Sequence, residues 1–310
     1  MREFDLLVVG EINPDLILTG ADLQPVFGQA EKLVEEATLT IGSSSAIMAC
    51  GAARLGLHTA FLGVVGDDEM GHFMLGAMAA RGVDVSACIV DPMLSTGLSV
   101  ILSQPHDRAI LTHLGAIAAL CAEQIDRNVM RRARHLHVGS YFLLDALRPD
   151  LPALYSEAHG RDMTTSLDTN WDPSGAWNGG LPQLLRECDV FLPNEAEAFA
   201  ISRRWDLQQA LDVLLGWVPT LVVKRGKEGA LARQGGQTIR APSLPVRVVD
   251  TTGAGDSFDA GFLYGYLHGW PLERSLRLAC ACGALSTRCA GGTDGQPTLS
   301  EALEAMGEGR

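Results

Sequence analysis

The chain has 310 residues, 47% hydrophobic and 20% charged, with 24 Lys plus Arg against 37 Asp plus Glu and a formal net charge of −13. This composition excludes disorder, collagen and coiled coil, and the length allows a sizeable core. No apolar run approaches the roughly 18 residues that span a bilayer, and so acidic a balance argues against nucleic acid as a partner, because a phosphate backbone needs a positive face. The first ten residues carry one cation, Arg2, and run straight into a short apolar strand, so no signal peptide and a cytoplasmic location are expected. Seven cysteines, at 50, 88, 121, 188, 280, 282 and 289, form no C-x-x-C pair and are expected as buried reduced thiols.

In chain order, short apolar runs alternate with amphipathic segments, the pattern of a mostly parallel sheet covered on both faces. Strands are predicted at Leu6–Val9, Thr59–Val65, His135–Val138, Thr164–Asp168, Asp189–Leu192 and Thr220–Lys224. Helices are predicted at Ala46–Leu55, Glu69–Arg81, Pro149–His159, Leu181–Arg186, Glu195–Trp205, Leu207–Leu215, Ser257–His268 and Leu272–Cys289. Two segments break the rhythm: 13–41 reads as strand-turn-strand (Asp15–Thr19, Leu33–Thr40), and 96–113 as a hairpin (Gly97–Ser103, Ala109–His113) around Pro105 and Asp107. Each lies between α/β elements, so the two can meet as a small β lid. One three-layer α/β/α domain over 1–310, with that lid inserted, is the expected architecture. His135 and His137 share one face of a strand and are read as structural.

The strongest local signal is Val248-Val249-Asp250-Thr251-Thr252-Gly253-Ala254-Gly255-Asp256, opening a helix with Phe258, Phe262, Leu263 and Tyr266 along one face. A glycine turn at a helix N-terminus is an anion site, because free N–H groups and the positive dipole end converge there. A carboxylate at that point, Asp256, repels a resting phosphate but suits a base that takes a proton from a hydroxyl attacking a phosphoryl group. Alone, the same Asp reads first as an N-cap.

Asp250–Phe258 resembles the C-terminal signature of the ribokinase-like, or PfkB, family of carbohydrate kinases, and the resemblance continues along the chain. Val9-Gly10-Glu11-Ile12-Asn13-Pro14-Asp15 looks like the family's first strand and substrate-contacting Asp; Gly42-Ser43-Ser44-Ser45-Ala46, closing with Ala53-Arg54-Leu55-Gly56, is similar to its N-terminal signature. Gly63-Val64-Val65-Gly66-Asp67-Asp68 with Gly71 resembles its G-x-x-G-D-D-x-x-G stretch, Asn194-Glu195-Ala196-Glu197 its N-x-x-E motif, and Val222–Ala230 its nucleotide-side strand and turn.

This resemblance implies an ATP-dependent kinase with Asp256 as base and Gly253, Ala254 and Gly255 completing an anion hole. It places the nucleotide against Asn194, Lys224, Gly226, Gly229 and Gly283, with a strand-end cation as the plain alternative for Lys224 and Arg225. Glu197, on one helix face with Asn194, would hold the water shell of Mg²⁺; its plain alternative is a solvated first-turn carboxylate. Asp250 and Thr252 would help hold a monovalent cation such as K⁺. On the sugar side it implies Asp15, Gly42, Ser43, Ile47, Arg108 and Asn170.

Three residues depart from the family pattern. Ser43 stands where a second Gly is usual, and Ile47 where many members have a sugar-binding Asn. Asp172 stands where keto-deoxy-gluconate kinases have the Arg of D-x-N-x-R, and an Asp cannot give the bidentate cation that a carboxylate substrate favours. The expected acceptor is therefore the primary hydroxyl of a neutral, ribose- or fructose-like sugar. The alternatives are a nucleoside, which the apolar Ile47 favours, and a catalytically silent sugar-binding protein. A dinucleotide oxidoreductase is disfavoured, because the first strand is not followed by G-x-G-x-x-G. Lid strands of the family often pair between subunits, which implies a homodimer.

Overall fold

The computed structural model describes residues 2–104 and 107–308. Its main sheet has eight strands in the order Gln237–Ala241, Ala230–Gln234, Thr220–Lys224, Val190–Phe191, Thr164–Leu167, Ala133–Val138, Phe4–Val9, Thr59–Leu62. The six strands from Thr220–Lys224 to Thr59–Leu62 are parallel, and the other two form an antiparallel edge. Alternate residues face opposite layers. Leu6 and Val8 pack under Ser44–Leu55, Glu69–Ala79, Ala254–Leu267 and Leu272–Ser286. Leu7 and Val9 pack under Leu151–His159, Leu181–Leu185, Glu195–Ser202 and Leu207–Leu215. The architecture is the three-layer α/β/α arrangement expected, and no described helix is long and apolar enough to cross a membrane.

The two rhythm-breaking segments do meet. Pro14–Thr19 pairs in parallel with Leu98–Gln104, Asp15 opposite Ser99, and the outer strands Glu36–Ile41 and Asp107–His113 complete a four-stranded lid sheet. Pro105 lies outside the described residues. Asp68 ties the lid to the body: it caps Glu69–Ala79 through Gly71 N (2.8 Å) and accepts Thr96 N (2.7 Å) at the root of the second lid segment.

Several expectations need correction. The strand expected at Thr59–Val65 breaks at Gly63, where a Cβ would lie 2.6 Å from the Gly10 carbonyl; the chain leaves the main sheet there and Val64–Gly66 pairs with Ile89–Asp91. The helix expected to reach Trp205 stops at Ser202, because Arg203 turns left-handed (φ 55°). The antiparallel edge, Ala230–Gln234 and Gln237–Ala241, was not anticipated, although its turn, Gly235-Gly236 with both φ positive, is a two-residue hairpin signal. Among the cysteines, Cys50, Cys188, Cys280 and Cys282 are buried as expected, whereas Cys88 and Cys121 are half-buried and Cys289 is exposed. His135 and His137 are structural: buried, they bond to Thr164 and Ser166 hydroxyls, and burial pulls both below the usual imidazole range.

Candidate active site

The parallel strands end at one edge of the sheet, and loops, lid and the N-termini of three helices close around a cavity of about 1130 Å³. One helix N-terminus is the glycine turn. Gly253 caps Ala254–Leu267 with φ 72°, a left-handed conformation that suits glycine. A Cβ there would also lie 2.7 Å from Gly292 Cα and 2.9 Å from Ile47 Cγ2, so the turn has close neighbours on two sides. Gly253, Gly255 and Asp256 line the cavity. Asp256 is 8% exposed, and its carboxyl is pushed well above the usual range by burial first and then by Asp168; Lys224 opposes this, and Glu11 adds to it. Asp256 sits in the first turn of that helix, beside the free amides that favour an anion.

Asp250 orders the approach to this turn: Oδ1 accepts Thr252 N and Oγ1, both at 2.9 Å, and Oδ2 accepts Gly291 N at 2.9 Å. Arg108 reaches from the lid strand Asp107–His113 to Thr252 Oγ1 (3.1 Å), so lid and turn are in direct contact.

The second helix N-terminus, Ser44–Leu55, carries the sugar-side motif. Ser43 caps it with φ 63°, which explains why glycine would suit this position. Its hydroxyl donates to Glu11 O (2.6 Å) and accepts Ala46 N (2.9 Å), which caps the helix, and Ser43 also lines the cavity. Gly42 makes room for Asp15, since a Cβ there would lie 2.1 Å from Asp15 Oδ1. Asp15 is raised to about 7, chiefly by burial and then by the charge of Glu11, with Arg108 opposing. Ile47 lines the cavity and packs against Gly292 as well as the glycine turn, an apolar bridge between the two helix starts. Asn170, left-handed at φ 52°, donates to Ser140 Oγ (3.0 Å) and lines the same cavity.

On the other side, Asn194 and Glu197 form a reciprocal capping box on Glu195–Ser202: Asn194 Oδ1 accepts Glu197 N (2.9 Å), and Glu197 Oε2 accepts Asn194 N (2.8 Å). Glu197 is 4% exposed and not a solvated carboxylate; burial, then Asp168, raises it to about 7. Both residues line the cavity. So does Lys224, whose ammonium lies 2.8 Å from Asp168 and 3.0 Å from Asp259. Gly226 lies on the rim with φ 55°. Gly229 and Gly283 are not among the lining residues: a Cβ on Gly229 would meet Ala241 O at 2.0 Å, and one on Gly283 Ala254 O at 2.9 Å, so both mark close approaches of the chain.

Four site residues were missed as such. Glu11 accepts Ser45 N and Oγ and Ser140 Oγ, tying the first strand to Ser44–Leu55; it stood unassigned in the first motif. Asp168 is legible in the sequence only as part of D-x-N. Asp259, three residues after Asp256, is legible as a same-face helical neighbour. Arg148 carries no sequence signal; it lines the cavity and pairs with Asp145 at 2.9 Å. Asp172 turns its carboxylate into its own loop, accepting Ser174 N (2.9 Å), Ser174 Oγ (2.7 Å) and Trp177 N (2.6 Å).

A buried acid, a glycine-opened helix start and a hydroxyl-bearing lid thus surround one cavity. The pfkB family carbohydrate kinase model matches residues 3–299, and the chain belongs to that family of ATP-dependent carbohydrate kinases. It is 32% identical over 283 residues to a 5-dehydro-2-deoxygluconokinase of Geobacillus kaustophilus (strain HTA426), covering 85% of this chain and 84% of the relative. It is 28% identical over 284 residues to Fructokinase-2 of Zea mays, covering 86% and 84%. The structure of Arabidopsis thaliana ribokinase complexed with ribose and ATP has the same fold, with TM-score 0.85, 23% identity and 99% of both chains covered.

The raised Asp15 carboxyl gives a stability prediction. Its folded pKa, about 7, exceeds the unfolded value near 3.8, so the unfolded chain loses the proton first and stability falls as pH rises from about 4 to about 7. Asp15→Asn should therefore raise the unfolding free energy of the ligand-free protein at pH 8, read by urea titration, by a few kcal/mol at most at about 1.4 kcal/mol per pKa unit. The gain should vanish below pH ~4. An equal gain at both ends of that range would show that the Asp15 charge is not the cause.

Proposed function

We propose that this enzyme transfers the γ-phosphoryl group of ATP to a primary hydroxyl of a neutral, ribose- or fructose-like sugar, with Asp256 as general base. The observation that supports it best is the meeting, in one cavity, of Asp256 on the glycine turn with the lid residues Asn13, Asp15, Ser99 and Thr112. Asp15 accepts from two neighbouring sugar hydroxyls, which would orient the acceptor towards the turn. The Asp256 carboxylate takes the hydroxyl proton as that oxygen bonds to the γ-phosphorus. The bond from phosphorus to the β–γ bridging oxygen breaks, ADP leaves, and the amides of the glycine turn meet the developing charge. Lid contacts such as Arg108 to Thr252 exclude water from the transfer.

Glu197 and Asn194 line the cavity, and the lone pairs that their capping box leaves free would suit the water shell of a Mg²⁺ ion. Bound there, Mg²⁺ would neutralise phosphate charge. Asp250 accepts hydrogen bonds from Thr252 and Gly291 and keeps lone pairs that, with Thr252, would suit a K⁺ ion at this turn.

Arg108 and Arg148, both lining the cavity, favour a second reading in which the acceptor is a sugar acid, as the name of the Geobacillus relative suggests. A coupled ADP-release assay with Mg-ATP against neutral sugars, sugar acids and nucleosides separates the readings. Neutral sugars are expected to be turned over. Turnover confined to sugar acids would move the reading to the second, and turnover confined to nucleosides would contradict both. Asp256→Asn should keep nucleotide binding and lose about 10²–10⁴ in kcat, the usual worth of a general base; full activity in that variant would remove Asp256 from the role.

We also infer a cytoplasmic homodimer. Seven unpaired cysteines suit a reducing compartment. The lid sheet and the chain around it expose Phe27, Leu33, Leu39 and Leu111, an apolar surface suited to a second copy. Sedimentation at micromolar concentration should give a dimer that Leu111→Glu dissociates; a monomer for the unaltered chain contradicts this.

A further inference from the structure

Lys224 ends a central strand with its side chain only 12% exposed. Its ammonium lies 2.8 Å from Asp168 Oδ2 and 3.0 and 3.2 Å from the two Asp259 oxygens. Asp168 follows the strand Thr164–Leu167, and Asp259 stands one helical turn after Asp256 on Ala254–Leu267. One cation thus ties two strand ends to the helix that begins with the glycine turn. It also lies close to that turn, since a Cβ on Gly255 would be 3.6 Å from Lys224 Nζ.

The surroundings are otherwise mostly acidic. Asp256 and Asp259 come from the helix, Asp168 from the loop after its strand, Glu197 from Glu195–Ser202 and Glu11 from the end of the first strand; His137, neutral in its buried site, lies on Ala133–Val138. Two buried carboxyls in contact do not both ionise. Asp259 is accordingly pushed up, by burial first, and Asp168 is held ionised against its own burial by the ammonium and by Asp259. For Asp256, Lys224 acts against burial and against Asp168.

We propose that Lys224 is a positioning residue for phosphoryl transfer: by gripping Asp168 and Asp259 it sets the first turn of Ala254–Leu267 against the sheet, and its charge offsets the carboxylates that crowd Asp256. This rests on Asp256 being the base. It differs from a role as phosphate ligand, because the ammonium is already held by two carboxyl groups on the protein side. Removing it would displace the turn, and displacements near 1 Å cost about 10²-fold in rate. It would also remove a positive charge that opposes protonation of Asp256.

The test is the pH dependence of kcat and kcat/KM, with whichever acceptor the ADP-release panel identifies, for wild type, Lys224→Met, the double variant Lys224→Met/Asp168→Asn, and Asp256→Asn. Lys224→Met should lose about 10²-fold in kcat, hold KM for ATP and acceptor within about threefold, and shift the acid limb of kcat/KM to higher pH. In the double variant a buried negative charge leaves with the ammonium, so the limb should return towards wild type while kcat stays at least about tenfold low for want of the tie. An unmoved limb in folded Lys224→Met, or a loss confined to KM for ATP, overturns the proposal. Should Lys224→Met fail to fold, wild-type kcat in the double variant overturns it. Full activity in Asp256→Asn would instead remove the base reading itself. An inactive Asp256→Asn beside an unmoved Lys224→Met limb removes only the role given to Lys224.

Discussion

The site depends on one electrostatic constraint: several carboxyl groups are buried together at the C-terminal edge of a parallel sheet, and something must keep them from repelling one another. Burial alone disfavours each charge. Three devices answer it in different places. The Lys224 ammonium binds Asp168 and Asp259, helix N-terminal amides meet Glu197 and Glu11, and a partly open cavity leaves Asp15 and Asp256 on its wall. In the proposed reaction Asp15 and Asp256, raised by burial at the cavity wall, would be the carboxyls that accept substrate hydroxyls and take up a proton.

The same arrangement explains the glycines and their departures. Gly42 gives Asp15 its space, and Gly253 lets a left-handed residue open a helix beside Ile47 and Gly292. Ser43 occupies a left-handed position that glycine would fill without strain, and its hydroxyl compensates by capping Ser44–Leu55 and bonding to Glu11 O. Ile47 joins the two helix starts by packing. Its apolar side chain links Ser44–Leu55 to the glycine turn.

Much of this was legible in the sequence because it is local. The glycine turn before a helix, the Asn194–Glu197 spacing and the alternation of strand and helix all act within a few residues; the first two fall where their patterns indicated, and the alternation does so apart from the break at Gly63, the helix end at Ser202 and the antiparallel edge. What the sequence did not disclose depends on pairing across the chain. The grip of Lys224 on Asp168 and Asp259 spans 56 and 35 residues, and the parallel pairing of the lid strands joins residues 14–19 to 98–104. Burial is equally non-local: Glu197 reads as an ordinary first-turn carboxylate until the sheet beneath it is known. Asp172 looked like a substitution bearing on the substrate, yet its oxygens organise its own loop. The Gly235-Gly236 hairpin is a different case, since its signal was local and was passed over.

The most direct measurement is of the glycine-turn amides in a trapped transfer complex. With ADP, Mg²⁺, aluminium fluoride and the acceptor bound, the ¹⁵N–¹H resonances of Gly253, Ala254, Gly255 and Asp256 should move strongly downfield as these amides take up hydrogen bonds to the phosphoryl mimic. Unperturbed amides in that turn, with shifts confined to other parts of the cavity, would show that the phosphoryl group is transferred elsewhere and would contradict this account of the site.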